Sequence, residues 1–227
     1  MSTIEEPWKA ECSRDAEGLL LEVGCLFKDP KYSDLRIKCG DRGWKVHKAI
    51  ICPQSDFFAK ACEGGFKEAQ ENLIALQDDD PDVVHAMLRF MYTGDFDNSE
   101  NEDNGHSWGM LCVGMHATAD KYNVADLGSM AAESLRQWSS HFWAEELFTE
   151  VVREVYTNLA DRDSRLRNAL LSVAAEHVQS LFAYRRHAGF REMVGTLPGF
   201  LMALASELAV RVTDSHYPPF TDSDSAR

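Results

Sequence analysis

Residues 32–50 have the sequence YSDLRIKCGDRGWKVHKAI, and this stretch carries the clearest structural signal in the chain. The period-two pattern of a half-buried β-strand is formed by Leu35, Ile37 and Cys39, which alternate with basic residues. A Gly-rich turn follows, and residues 44–46 alternate again. The stretch therefore predicts a β-hairpin, with helical character resuming immediately after it.

Downstream of the hairpin, the apolar pattern predicts further short elements. Two short helices are expected between residues 48 and 63, with Pro53 and Ser55 marking the break between them. Residues 73–76 form a short apolar strand, and Asp80 can cap the free amides of a longer helix. The later elements are all predicted to be helices, over residues 81–94, 108–122 and 124–139.

Upstream of the hairpin, residues 16–28 are predicted to form a helix. Its apolar stripe consists of Leu19, Leu20, Val23, Leu26 and Phe27. Two glycines weaken this helix as an isolated unit, so we expect it to require a partner surface. Residues 1–15 are polar and aperiodic, and we predict a loose N-terminus there.

Beyond residue 140 the pattern is helical throughout, and it predicts an all-α extension over residues 141–213. Three helices are expected there, with apolar stripes of Leu147, Val151, Val155 and Leu159, then Leu166, Leu170, Val173, Val178, Leu181 and Phe182, and finally Leu201, Leu204 and Leu208. Two polar segments complete the predicted organisation: a mobile acidic loop at residues 95–107 and a flexible tail at residues 214–227.

The bulk properties of the chain argue against a nucleic-acid partner. Of its 227 residues 44% are hydrophobic, its net charge is −14 and its pI is about 4.9. Such a chain can bury a core, but it lacks the strong basic block that phosphate binding requires. The best basic cluster, at residues 185–191, is expected to decorate a helix end and the following turn.

Secretion and membrane insertion are not indicated either. The first residues lack a basic and apolar signal pattern, and no run of about eighteen apolar residues is present. The six cysteines include no CxxC pair and no Cys/His group at zinc-site spacing. We therefore expect a cytoplasmic and/or nuclear protein with reduced thiols, several of them in the core, and with no membrane partner.

Nothing in the sequence has the arrangement typical of an enzyme. His47 has no Cys or Asp partner spaced for catalysis, and Ser55 does not lie in a G-x-S-x-G elbow. A buried, hydrogen-bonded His47 and a helix-capping Ser55 are the favoured interpretations. The acidic run at residues 78–80 could hold a metal weakly, but helix capping accounts for it. We predict no catalytic residue, no cofactor and no metal site.

Seven short motifs, taken in order, resemble a BTB (POZ) domain over about residues 17–140. They are YSDL (32–35), VHKAI (46–50), SDFF (55–58), FKE (66–68), IAL (74–76), LRFMYTG (88–94) and ATADKY (117–122). The resemblance implies an α+β fold, in which a small β-sheet is flanked by a cluster of α-helices. We place the domain at residues 16–140, followed by the all-α extension. The amino-acid sequences of the motifs look most like those of fungal members of the family.

The resemblance also implies protein–protein interaction as the function. In this family the helix before the first strand often packs against its copy in a second subunit. Leu19, Leu20, Val23, Leu26 and Phe27 would then form a homodimer interface. The alternative is that this helix folds back on its own domain.

Some members of the family recruit a cullin scaffold through a hydrophobic residue followed two positions later by Glu. Phe66 and Glu68 match that pattern. The alternative is that Phe66 packs in the core and Glu68 is merely solvated. Two functional hypotheses follow: an adaptor for a cullin-type ubiquitin ligase, or a non-enzymatic scaffold in transcriptional or signalling assemblies with no role in ubiquitin transfer.

Overall fold

The computed structural model describes residues 16–63, 65, 67–95, 108–159 and 164–216. The chain divides into two compact units. The first comprises residues 1–104 and 114–130, and the second comprises residues 105–113 and 131–227. Three predicted features lie wholly or mostly outside the described residues: the loose N-terminus, the acidic loop from residue 96 onward and the tail from residue 217 onward.

The first unit begins with the predicted helix and hairpin. Its elements are α1 (Ala16–Lys28), β1 (Leu35–Cys39), β2 (Arg42–Val46), α2 (Lys48–Ile51), a 3-10 turn (Cys52–Gln54), α3 (Asp56–Cys62), α4 (Lys67–Glu71), β3 (Leu73–Ala75) and α5 (Pro81–Thr93). The next two helices, α6 (Trp108–Tyr122) and α7 (Ala125–Phe142), contribute residues to both units.

The three strands form one sheet in the order β2-β1-β3. β1 and β2 pair antiparallel with Leu35 opposite Val46, so the predicted hairpin is confirmed. β3 runs parallel to β1. The three apolar residues of β1 are at most 3% exposed, whereas Arg36 and Lys38 between them are exposed. One face of the sheet is therefore buried in the core and the other is open and basic.

Both helix caps predicted from the sequence are confirmed. The Ser55 side chain accepts a hydrogen bond from the Phe58 amide (3.2 Å) at the start of α3. Asp80 accepts from the Asp82 amide (2.7 Å) at the start of α5. Gly94 ends α5 with a φ of 72°, a left-handed conformation that costs glycine little.

In the part of the second unit that the structure describes, all the elements are helices, so the all-α extension is confirmed. Its elements are α8 (Glu146–Thr157), α9 (Ser164–Glu176), α10 (Val178–Ala183), a 3-10 turn (Arg185–His187), α11 (Ala188–Thr196) and α12 (Pro198–His216). The core of this unit is apolar, and its members are at most 4% exposed: Phe148, Val151, Val152, Val155, Leu166, Leu170, Val173, Phe190, Met193, Val194, Phe200 and Leu204.

Several details of the predicted extension are wrong. The second predicted helix is two helices, α9 and α10, separated at His177. Phe182 and Leu201 were assigned to core stripes, but they are 42% and 45% exposed. Leu159 lies beyond the end of α8, and α11 has no counterpart in the prediction. Helical spacing identifies an apolar face, but it does not show which part of that face a neighbouring helix covers.

Among the described residues, no single helix is long and apolar enough to cross a membrane. One pair, residues 185–196 and 198–212, passes the test together by length and composition, with a bend of 105° between its members. Within the second unit, Phe190 and Phe200 of this pair are at most 2% exposed, whereas Leu201 is 45% and Met202 is 67% exposed.

Candidate interaction surfaces

Helix α1 packs against α5 of the same chain. The centroid of the Phe27 ring lies 5.2 Å from that of His85 and 5.3 Å from that of Tyr92. A Cβ added at Gly24 would lie 3.4 Å from Thr93 Cγ2, so the two helices approach closely there. This contact supplies a surface of the kind that the sequence predicted α1 to require.

The residues of the predicted dimer stripe do not share one environment. Phe27 is engaged with α5, and its side chain is half-buried, as are those of Val23 and Leu26. The side chains of Leu19 and Leu20 lie outside the described part of the molecule. The stripe is therefore used at least partly to hold α1 on its own domain.

An exposed apolar position on α1 was missed by the sequence reasoning. Leu21 is 72% exposed, and Cys25, one helical turn later, is exposed as well. We call these two residues the outer face of α1. The missed signal was the four-residue spacing of Leu21 and Cys25, which places them on one side of the helix.

His47 is 7% exposed and belongs to a hydrogen-bond network that reaches α5. Its Nε2 lies 2.8 Å from the Lys31 carbonyl oxygen, which can only accept, so we assign the ring proton to Nε2. Nδ1 then accepts from the Tyr92 hydroxyl (2.8 Å), and that hydroxyl accepts from the His47 amide (2.8 Å). Burial raises the pKa of Tyr92 to about 12. The predicted structural role of His47 is confirmed.

Asp79 connects the segment before α5 to the end of α6. Its carboxylate accepts from the Tyr122 hydroxyl (2.6 Å) and from Lys121 Nζ (2.8 Å), and its carbonyl accepts from the Cys39 thiol (3.1 Å). Burial and the hydrogen bond to Asp79 raise the pKa of Tyr122. Asp79 of the acidic run thus links the segment before α5 to the end of α6 and to β1. Within the described ranges, no group of three or more His, Cys, Asp or Glu side chains could hold a metal ion.

Two buried thiols, one in each unit, favour packing over chemistry. Cys39 and Cys112 are at most 1% exposed, so the prediction that several cysteines lie in the core is confirmed for them. Burial raises the pKa of Cys112 to about 12 and also raises that of Cys39. A cysteine nucleophile requires the opposite shift, because the thiolate is the reactive form.

The segment predicted to bind a cullin is described only in part. Phe66 lies outside the described residues, and Glu68 is exposed in the first turn of α4. In the same short helix Lys67 pairs with Glu71 at 3.7 Å. The Glu68 carboxylate is therefore accessible to a partner.

The basic cluster of the extension decorates a helix end, as predicted. Arg191 Nη1 donates to the carbonyl oxygens of Tyr184 (2.7 Å) and Leu181 (3.3 Å) at the end of α10. His187 is 5% exposed, and burial lowers its pKa. Two members of the cluster are thus committed to the fold of the second unit.

The family follows from a direct comparison with known proteins. The model of the BTB/POZ domain family matches residues 24–138, which is half of the chain. This chain therefore belongs to the BTB/POZ domain family. Residues 24–138 are accordingly a protein-interaction domain, and enzymes are not typical of this family.

Individual relatives match over different lengths. TD and POZ domain-containing protein 4 of Mus musculus is 31% identical over 114 residues, 50% of this chain and 29% of the mouse protein. Rabankyrin-5 of Homo sapiens is 24% identical over 208 residues, 81% of this chain and 17% of the human protein. The chain thus spans less than a third of either relative. Both are mammalian, so the likeness to fungal members stays a prediction.

Among solved structures, the BTB domain of zebrafish PATZ1 is similar to this chain. The TM-score is 0.43 at 15% sequence identity, over 60% of this chain and 99% of that domain.

Proposed function

We propose that this chain is a self-associating BTB module that acts as an adaptor for a cullin-type ubiquitin ligase. The observation that carries the proposal is the two-sided environment of α1. Phe27 holds the helix on α5, while Leu21 is 72% exposed. A helix fixed on one side and apolar on the other can pack against a second copy without unfolding its own domain.

Association would remove the outer face of α1 from water. Burial of apolar surface stabilises by roughly 25 cal/mol per Å². Val23 and Leu26 of the predicted stripe lie two and five residues from Leu21, so they point to other sides of the helix, and both are already half-buried within the chain. Phe27 instead holds α1 on α5, because its ring already packs within the chain.

The first test is oligomeric state. The full chain should elute at twice its mass in size-exclusion chromatography with light scattering, at tens of micromolar protein. Leu21→Asp should give monomer, because burying an unpaired carboxylate in an apolar interface costs several kcal/mol. The matched control is Leu201→Asp, which places the same charge at an exposed leucine of the second unit and should stay dimeric.

Phe27→Ala separates the two roles of α1. It should lower the melting temperature, because the ring packs on His85 and Tyr92. Leu21→Asp should leave the melting temperature of the monomer nearly unchanged. A wild-type chain that is monomeric under these conditions would contradict self-association.

The adaptor role rests on the accessible carboxylate of Glu68 and on the preceding Phe66. Binding of the purified N-terminal domain of a cullin to the full chain should be measurable by calorimetry. Aromatic anchors typically cost about 2 kcal/mol or more when cut to alanine, so Phe66→Ala should weaken binding by about thirtyfold or more. Glu68→Lys should weaken it too, whereas Glu63→Lys, the same charge change at an exposed glutamate nearby, should not.

The same titrations decide between the two functional hypotheses. If the wild-type chain does not bind any cullin at about 100 µM, the domain is instead a scaffold in transcriptional or signalling assemblies. If Phe66→Ala lowers thermal stability, Phe66 belongs to the core and its match to the cullin pattern is coincidental. Either way we propose a non-enzymatic protein of the cytoplasm and/or nucleus, where thiols stay reduced.

A further inference from the structure

The open face of the β-sheet carries an arrangement of charge that folding does not explain. Arg36 of β1 and Lys45 of β2 are direct cross-strand partners, and both are exposed. Lys38 lies two residues further along the same face of β1, opposite Gly43. Like charges directly opposite each other in a sheet are destabilising.

This basic face is unexpected in an acidic chain. The sequence has 37 acidic and 23 basic residues, so carboxylates outnumber cations. Within the described ranges, however, none of the recorded ion pairs involves Arg36, Lys38 or Lys45. The neighbouring Arg42 differs, because it pairs with Asp82 and lies over the ring of Trp44.

A groove lies beside this cross-strand pair. Its volume is about 320 Å³, and it is lined by Arg36, Lys45 and neighbouring residues at the start of β1 and before β3, namely Ser33, Asp34, Leu35, Glu71 and Asn72. That volume is at the lower end of the range of about 300–1,000 Å³ typical of ligand pockets.

The other polar side chains of the groove are largely occupied. Asp34 accepts from the Lys48 amide (2.8 Å), and Asn72 accepts from Lys48 Nζ (2.5 Å). Glu71 pairs with Lys67 at 3.7 Å. Two carboxylates therefore line the groove beside its two cations, and the excess of positive charge at the site comes from Lys38 of the open face. Among the described residues, Arg36 and Lys45 are the charged side chains of the groove for which no partner is recorded, so these cations are the groups left to bind an anion.

We propose that the basic sheet face, Arg36, Lys38 and Lys45 with the adjoining groove, is a docking site for an extended acidic peptide segment of a partner protein. Carboxylates at alternate positions of an extended chain lie on one side of it, about 7 Å apart. Such a segment can present two or three acidic side chains to the three cations. A nucleic acid fits less well, because a chain of net charge −14 repels a long polyanion.

The site shares no residue with the outer face of α1 or with the pair Phe66 and Glu68, although Glu71 of its groove lies on the same helix as Glu68. Its charges would steer the acidic segment toward the sheet and would give binding that weakens as salt is raised. The electrostatic cost of the facing Arg36 and Lys45 would be relieved when a carboxylate lies between them. The pair would then be retained for recognition.

The test uses the full chain and a fluorescein-labelled peptide of about ten residues with alternating Glu and Ser, followed by fluorescence anisotropy. We expect saturable binding that weakens with added salt. The counterpart with Gln in place of Glu should not bind at the same concentrations. The double variant Arg36→Glu and Lys45→Glu should lose about tenfold or more in affinity.

The matched control has the same change in net charge at exposed cations elsewhere, Lys60→Glu with Arg153→Glu. It should stay within about twofold of wild type, because charges that do not touch the ligand act only through screened long-range attraction. Circular dichroism and melting temperature establish that each variant is folded. If the double variant at the site does not fold, Arg36→Gln and Lys38→Gln take its place and should each weaken binding.

Three results would overturn the proposal. The first is no anisotropy change with the Glu–Ser peptide at about 1 mM. The second is an equal loss in the two double variants, which would indicate a general charge effect. The third is equally tight binding of single-stranded DNA of the same length, which would show that the face does not select a peptide. The oligomeric state and cullin binding are measured separately, so failure here leaves those proposals standing.

Discussion

The two compact units bring distant parts of the chain together by different kinds of contact. In the first unit, buried polar side chains join segments that are far apart in the sequence. The Tyr122 carbonyl accepts from the Ser55 hydroxyl at 2.6 Å, 67 residues away, and the Tyr92 hydroxyl bonds to His47, 45 residues away. In the second unit the helices meet mainly through aromatic and aliphatic side chains, such as Phe148, Phe190 and Phe200.

This difference explains why only the first unit has recognisable motifs. A hydrogen bond in a core requires one donor and one acceptor at fixed positions, and a buried polar group without its partner is costly. An apolar contact tolerates several residue types of similar volume. The first unit is therefore constrained to particular amino acids at many positions, as in ATADKY, while most core positions of the second unit are constrained only to be apolar, and polar contacts such as those of Arg191 are fewer.

The apolar core of the second unit should be the most sensitive to a single substitution. Phe190 is 2% exposed, and its ring lies 6.2 Å from that of Phe148 and 6.0 Å from that of Phe200. Phe190→Ala should lower the free energy of unfolding by about 3–5 kcal/mol, because it removes apolar contacts and leaves a cavity. Phe190→Leu should cost less than about 1.5 kcal/mol, since it keeps much of the volume.

Hydrogen exchange followed by mass spectrometry would locate that effect. Faster exchange in α8, α11 and α12 with unchanged exchange in β1 to α5 would show that the units respond separately. A uniform loss of protection along the whole chain would instead show that the chain unfolds as one cooperative system.

The hydrogen bond between Tyr122 and Asp79 tests the contribution of buried polar contacts in the first unit. Tyr122→Phe removes the hydroxyl that donates to Asp79, whose side chain is 9% exposed. Hydrogen bonds to charged groups contribute about 1.5–3 kcal/mol, and urea denaturation should show a loss of that size. The matched change in the second unit is Tyr156→Phe. The Tyr156 ring packs edge-on against Phe200, and no hydrogen bond of its hydroxyl is recorded among the described residues, so the loss should be below about 0.5 kcal/mol.

The stability of the chain at alkaline pH provides a second test of the Tyr122 hydroxyl. The pKa of Tyr122 is raised in the folded protein, while a tyrosine of the unfolded chain ionises near pH 10. The unfolded state therefore loses its proton first, and stability that is full below about pH 10 is lost as the pH rises further. Tyr122→Phe should fall less steeply than wild type in melting temperature above pH 10. A slope should remain, because Tyr92 also titrates late, at about 12.

Local signals in the sequence predicted local structure well. The alternation through Ile37 gave the hairpin, and Asp80 with Pro81 placed the start of α5, because capping and strand periodicity depend on residues that are neighbours in the chain. The bond between Asp79 and Tyr122 spans 43 residues, and no periodicity connects them. The break at His177 was missed because no Pro or Gly marks it.

The site could be predicted to a similar extent. The sequence placed an apolar helix at residues 16–28, but packing alone decided that Phe27 faces inward and Leu21 outward. Both interpretations of Glu68 placed its side chain in solvent, and it is exposed, on the short helix α4 that the sequence did not predict. Burial depends on what covers each face, and a single sequence does not contain that information directly.

The two units also differ in how their exposed charges are paired, and changes there should have small effects on stability. Recorded pairs in the second unit join opposite charges at helical spacing, such as Glu207 with Arg211, whereas β1 and β2 of the first unit oppose Arg36 and Lys45. Arg36→Glu should therefore raise the free energy of unfolding by about 0.2–1 kcal/mol, because it turns a repulsive cross-strand pair into an attractive one. The gain should shrink at high salt, since both side chains are exposed.

Lys38→Glu is the control: its cross-strand partner is Gly43, so the same charge change should bring no comparable gain. Chemical denaturation at low and high salt measures both variants. If Arg36→Glu stabilises the chain and also abolishes binding of the acidic peptide, the like-charge pair is kept for recognition at a small cost in stability. If Arg36→Glu destabilises the chain, the arginine side chain contributes packing to the sheet, and the argument for a functional pair is lost.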